Sequence, residues 1–95
     1  MKVVWLGKAS VALDLEYEHL AQRNLRGAKR VFDRIVSATR RLRDFPLAGR
    51  AGNVPGTREL IVPGLPYVAI YRLQADRVEI LRVFHTSRKW SDSVN

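Results

Sequence analysis

NVPGTRELIVPGLPYVAIYRL, residues 53–73, carries two Pro-Gly pairs inside a run rich in β-branched and aromatic side chains. Pro-Gly is turn chemistry: proline presets φ, and glycine accepts the positive φ that follows. The pairs therefore divide the run into strands over residues 58–62 and 67–73. QAD at 74–76 reads as a tight hairpin turn, with Asp76 a favoured turn residue, into a third strand from residue 77 to about residue 85. Turns explain the prolines and glycines. They do not explain Arg58 and Arg72 inside a strand pattern, which become candidates for contact with something outside the chain.

Upstream, Val3, Val4, Trp5 and Leu6 form a short apolar strand that ends at Gly7. Ser10 is placed to cap a helix over about residues 10–20, with Val11, Leu15 and Leu20 as its apolar face. Asp14, Glu16 and Glu18 make this the acidic part of the chain. QRNLRG breaks the pattern, with Asn24 and Gly27 as punctuation. From Ala28 the helical periodicity is strongest, through Val31, Phe32, Ile35, Ala38, Leu42 and Phe45, and Pro46 marks its end. PLAGRAGNVPG then reads as an irregular connection. The polar tail TSRKWSDSVN is expected to fray after Trp90, in residues 91–95.

The order β-α-α-β-β-β describes an α+β domain, a helix hairpin on a small and mostly antiparallel sheet, filling residues 1–95 as one domain. In the last strand, simple alternation puts Val78, Ile80, Arg82 and Phe84 on one side and Glu79, Leu81, Val83 and His85 on the other. Neither side is cleanly polar, so the open face is expected to bind something.

Composition narrows the chemistry. The chain has no cysteine, which removes thiol catalysis, disulfides and cysteine zinc sites and fits a reducing cytosol. Its apolar runs are far shorter than the ~20 residues of a membrane span, and the N-terminal MKVVWLGKAS has too short an apolar stretch for a secretory signal, so a cytoplasmic protein is expected. Two histidines, far apart in sequence, give no metal site, and GRAG lacks the length and helix context of a phosphate loop. No cofactor is expected.

Charge is the most directed feature. Seventeen Lys and Arg oppose nine Asp and Glu, a net charge of +8. Residues 23–50 hold nine of the basic side chains against Asp33 and Asp44 alone, so seven of the eight surplus charges lie there. The bland reading is a solvated helix face; the alternative is a polyanion or an acidic protein partner. The individual candidates have bland readings too. Arg58 suits a cross-strand ion pair with a carboxylate such as Glu59. Arg72 suits a solvated strand end, Arg88 a loose surface charge and His85 a satisfied structural histidine. Tyr67 and Tyr71, two apart on one face, suit core packing better than a stacking platform. Trp5 and Trp90 suit edge packing, and His19 ordinary surface.

W…A…DL near the start, the basic second helix, LRDFPLAGRAGNVPGTREL, PYVAIYRL and VEILRVFHTSRKW, in this order, resemble the RelE/ParE superfamily of bacterial toxins over about residues 3–90. The resemblance implies the fold already derived and a cytosolic toxin of a type II toxin–antitoxin pair. It also implies an antitoxin whose C-terminal segment wraps the toxin and silences it. Two activities occur in the superfamily. The RelE branch cleaves mRNA on the ribosome without metal, using a base, an acid and cations on the scissile phosphate. Arg58 and Arg88 match two of its positions, but two others fall on Leu60 and Val68, and no tyrosine follows Trp90. His85 could serve as acid or base, since imidazole titrates near ~6.5; the ParE branch, which poisons DNA gyrase, often carries a histidine there as well.

The resemblance therefore implies a gyrase inhibitor before a ribonuclease built on Arg58, Arg72, His85 and Arg88, with a degenerate, antitoxin-binding module as a third reading. The partner is expected to be acidic over its C-terminal half, to meet Arg34 and Arg41 on the second helix and to reach the sheet near Arg72. Toxin and antitoxin are expected to form a hetero-oligomer.

Overall fold

The computed structural model describes residues 1–87; Arg88, Trp90 and the tail 91–95 lie outside the described residues. Strand β1 (Lys2–Trp5) leads into helix α1 (Gly7–Ala21) and helix α2 (Leu25–Arg40), which tightens into a 3-10 turn, Arg41–Arg43. Then come β2 (Arg50–Ala51), β3 (Thr57–Ile61), β4 (Tyr67–Leu73) and β5 (Arg77–His85). The five strands form one sheet in the order β1-β5-β4-β3-β2, antiparallel except for the parallel β1–β5 pair. The expected α+β order holds, with one addition: part of the PLAGRAGNVPG connection pairs with β3 as β2. The Pro-Gly turns behave as read, Gly56 and Gly64 both taking positive φ (83° and 75°).

Helix α1 starts three residues before the expected cap. Leu6 still belongs to the strand edge, its N–H donating to the carbonyl of Ile80 at 3.1 Å, while its own carbonyl already accepts from Ser10 N–H at 3.0 Å. This tight strand-to-helix junction fixes the phase of α1. Ala9 and Leu13 are buried against the sheet, and Val11 and Leu15, expected inside, are 56% and 60% exposed. Two apolar pairs spaced i, i+4 compete for the core in this segment, and the junction selects between them.

Asn24 does more than interrupt. It is the N-cap of α2, its side-chain oxygen accepting from Gly27 N–H at 3.0 Å. Ala28, Ile35 and Leu42 are buried as expected, joined by Thr39, whose hydroxyl lies 3.0 Å from both the Ile35 and Val36 carbonyls. Phe45 does not continue the stripe. The 3-10 turn winds more tightly than an α-helix, shifts the phase, and leaves Phe45 exposed. Tyr17 of α1 and Phe32 of α2 meet edge to face at 5.6 Å, locking the hairpin.

The mixed alternation of β5 has a local cause. Tyr71 pairs with Ile80 and Ile70 with Arg82, so Leu81 is an extra residue in the ladder, a β-bulge. Val78, Ile80, Val83 and His85 all face the helices, and Glu79, Arg82 and Phe84 face the other way, correcting the simple alternation. On the helix side Val78 and Ile80 are at 0% exposure and Val83 at 9%.

The phase of α1 predicts unequal costs for two leucines one half-turn apart. Leu13→Ala should cost about 2–4 kcal/mol of unfolding free energy, as a buried Leu→Ala change does. Leu15→Ala should stay within about 0.5 kcal/mol. Urea titrations of both variants measure the difference; equal costs would place the helix in the other phase.

Candidate partner-binding groove

Tyr71 lies at the centre of β4, facing the helices, with 0% exposure. A buried phenol needs hydrogen-bond partners, and it finds both in the connection before β2. Its hydroxyl donates to the Pro46 carbonyl at 2.8 Å and accepts from Gly49 N–H at 2.8 Å. Burial raises the Tyr71 pKa, opposed by the Gly49 hydrogen bond and by the nearby Arg58 charge. Gly49 must be glycine for this approach: a Cβ would stand 2.7 Å from Tyr71 Cε1 and 2.8 Å from the Glu59 carbonyl.

Arg58, opposite Tyr71 in the β3–β4 ladder, completes the attachment. Its Nη1 donates to the Gly49 carbonyl at 2.6 Å and reaches the Leu47 carbonyl at 3.4 Å. It does not pair with Glu59, which points to the other face and binds Arg50 at 3.1 Å. One of the candidate arginines thus holds backbone in place.

The attached segment, residues 46–49, forms a wall. Between it, the 3-10 turn and the end of β3 runs an apolar groove of about 620 Å³. Phe45, Leu47 and Ile61 on its rim are 59%, 63% and 52% exposed. Arg41 lies along the rim, its guanidinium carbon 6.0 Å from the Phe45 ring centre. Ala38, Arg41 and Pro63 also line a second groove of about 610 Å³, whose other walls carry Arg30, Asp33, Arg34 and Ser37. The two grooves are neighbours that share those three residues, the first apolar and the second lined by cationic side chains. Arg34 rests over the Pro63-Gly64 turn, its Nη1 2.8 Å from where a Gly64 Cβ would be. Among the described residues, Arg30, Arg34 and Arg41 form no ion pair.

Arg72 faces the opposite side of the sheet. Its Nε binds Glu79 Oε1 at 2.7 Å, while Arg77 Nε binds Oε2 at 2.9 Å and Gln74 Nε2 lies at 3.3 Å. The Glu79 carboxylate is 6% exposed. These donors, Arg72 first and Arg77 next, hold its pKa down at about 2. His85 sits on the helix side at the end of β5. Its ring meets Tyr67 edge to face at 5.1 Å, and Nδ1 accepts from Ser87 N–H at 3.2 Å with Ser87 Oγ 2.7 Å away. An amide donor at Nδ1 puts the proton of a neutral ring on Nε2. The Tyr67 hydroxyl donates to Glu16.

The structure therefore brings Arg34 and Arg41 together and sets Arg72 behind the sheet from them. Arg58 and His85, on the helix side, stand opposite Tyr71 and Tyr67, four residues apart along β4, or roughly 13 Å at strand rise. Arg88 lies outside the described residues. Arg30, Leu47 and Ile61, which line the grooves, were not singled out from the sequence; the signal available was the i, i+4 spacing of Arg30 and Arg34. Among the described residues no group of three His, Cys, Asp or Glu side chains could hold a metal ion, and no helix is long and apolar enough to cross a membrane.

Comparison with known proteins agrees with this architecture. A family model described as "ParE toxin of type II toxin-antitoxin system, parDE" matches residues 3–90. A Sinorhizobium fredii protein named "Putative toxin Y4kP" is 35% identical over 89 residues, covering 94% of this chain and 92% of that protein. A solved structure titled "Chromosomal ParDE TA system from P. aeruginosa" superposes with a TM-score of 0.83 at 29% identity, covering 92% of this chain and 97% of that one. The chain belongs to the ParE toxin family of type II toxin–antitoxin systems.

The Glu79 cluster predicts an acid-sensitive contribution to stability. The folded carboxyl titrates at about 2, below its ordinary 4.5, so its contribution is complete above pH 4.5 and is lost as the pH falls towards 2. Urea midpoints between pH 6 and pH 2 should fall less steeply for Glu79→Gln than for the parent, from a lower starting value. Parallel curves would mean that the carboxylate is not held by its arginines.

Proposed function

We propose that this toxin arrests growth by inhibiting DNA gyrase in the cytosol and is silenced there by a cognate acidic antitoxin in a hetero-oligomeric complex. Membership of the ParE family supports the toxin role and the existence of an antitoxin. The choice of target rests on one observation about the chain itself: the positions at which a ribonuclease of the superfamily would need polar groups are committed to structure. Leu60 lines the apolar groove, and Val68 is 5% exposed. Arg58 spends its guanidinium on the Gly49 and Leu47 carbonyls. Phosphodiester cleavage requires an acid, a base and free cations around a single point. Poisoning a target enzyme requires only a binding surface, and the unpaired arginines and exposed apolar side chains provide one.

The second reading, metal-independent cleavage of mRNA on the ribosome, would use Arg58, Arg72, His85 and Arg88. The separation of Arg58 and Arg72 by the sheet weighs against it, as does the engagement of Arg72 with Glu79. A degenerate module that binds its antitoxin and no target is the third.

Purified protein added to gyrase and relaxed plasmid should block supercoiling, and RNA in cells expressing the protein alone should stay intact. His85→Ala should leave gyrase inhibition within about twofold of the parent. Rapid loss of translated mRNA with normal supercoiling would sink the gyrase reading, and growth unaffected by expression would favour the module.

A further inference from the structure

We propose that the cleft between β1 and the end of α2 binds an unpaired nucleotide of a single-stranded nucleic acid, its base against Trp5 and its phosphates against Arg40, Arg43 and Lys2. The proposal goes beyond the gyrase reading and does not depend on it. Among the described residues β1 ends the sheet, paired with β5 alone. Trp5 pairs in register with Ile80 and Val3 with Val78, both of which face the helices. Trp5 therefore lies on the helix side at the sheet edge. There Trp5, Val3 and Val36 line a cleft of about 450 Å³ together with Lys2, Arg40 and Arg43. The Met1 nitrogen donates to the Arg43 carbonyl at 3.2 Å, joining the start of β1 to the 3-10 turn.

No carboxylate lines this cleft. Lys2 and Arg40 are exposed and form no ion pair among the described residues. Arg43 has Asp44 at 3.8 Å, but the two side chains are 59% and 64% exposed, and solvent leaves such a pair weak. Trp5 is half-buried and packs against the core. Its indole N–H has no partner among the described residues, and no buried polar side-chain atom there lacks one, so that N–H is open to solvent. An aromatic ring beside unpaired cations is how single strands are held, bases stacking on the ring and phosphates meeting the cations. An acidic peptide would satisfy the cations and leave the ring idle. A duplex keeps its bases stacked on one another, out of reach of a ring set in a cleft. A volume of about 450 Å³ falls within the ~300–1,000 Å³ of sites that hold one small molecule, so one nucleotide enters and the strand continues outside. DNA and RNA strands offer the same two contacts.

Trp90→Phe leaves Trp5 as the sole tryptophan, so its fluorescence reports on the cleft. Titrating that protein with an oligothymidylate or an oligouridylate of about 12 nucleotides should quench the fluorescence saturably. Affinity should fall with salt, with a log–log slope of about −0.7 per phosphate engaged. Arg40→Gln/Arg43→Gln in the same background should weaken binding about tenfold or more and flatten that slope by about 1. Arg30→Gln/Arg34→Gln removes the same charge from the groove beside Pro63 and should stay within about threefold of the parent. Trp5→Leu, read by the anisotropy of a labelled strand, should weaken binding about fivefold or more. Trp5 packs on the core, so thermal midpoints are compared; the four arginines are exposed, and their variants decide the matter if Trp5→Leu does not fold.

Absence of quenching by either strand overturns the proposal. Equal losses in the two arginine pairs also overturn it, because they would show diffuse attraction by the net charge of +8 and no site. Duplex DNA bound as tightly as the strand removes the role of the unpaired base. ATP bound as tightly as the strand would reduce the cleft to a site for free nucleotides, which contradicts the proposal as well. Each of these results leaves the gyrase reading standing, since supercoiling is measured separately.

Discussion

A single phenol ties the helical layer's exit to the sheet. Tyr71 is the largest of the side chains buried below 2% exposure, and its hydroxyl binds the chain at Pro46 and Gly49 just after the 3-10 turn. Each such hydrogen bond contributes about 0.5–1.5 kcal/mol net, while an orphaned buried donor costs about 1–3 kcal/mol, so the phenol and the glycine amide need each other. The position of residues 46–49 follows from that pairing, and so does the path into β2. The groove wall carrying Phe45 and Leu47 follows in turn. Arg58 adds a charge-assisted contact from the neighbouring strand.

The excess of arginine is divided between structure and surface. Arg58 holds backbone, Arg50 pairs with Glu59, and Arg72 and Arg77 enclose Glu79. Those side chains neutralise or satisfy groups of the fold. Arg30, Arg34 and Arg41 have no such duty, and they lie together on one side of α2. Three of the arginines that form no ion pair among the described residues thus lie beside an exposed apolar groove. Cationic and apolar surface are adjacent here.

Much of this architecture could be read from residue order. The Pro-Gly pairs cut the sheet where it is cut, and the two tyrosines on one face of β4 are core residues, as their spacing suggested. The stripe held through Leu42 and failed at Phe45, beyond the 3-10 turn. What sequence periodicity missed were events of a single residue. The Leu81 bulge reverses the sense of alternation, and no turn residue announces it. The start of α1 depends on a hydrogen bond from Leu6 to a strand more than seventy residues later. Gly49 looked like any glycine of a loop, because the side chain that forbids a Cβ there comes from β4. For the candidate site, charge counting pointed to the helix whose arginines line the cationic groove. It could not separate arginines that serve the fold from those left over, since that distinction depends on which face each strand residue takes.

Amide hydrogen exchange at Gly49 tests the central claim most directly. The amide sits in a glycine-rich connection, where exchange within the time of a loop opening would be ordinary. If the buried Tyr71 hydroxyl holds it, Gly49 N–H should exchange as slowly as the amides of β4, through global unfolding. Exchange as fast as that of the exposed Asn53 amide in the same connection would show that the wall is not anchored, and the account of the groove built on it would be contradicted.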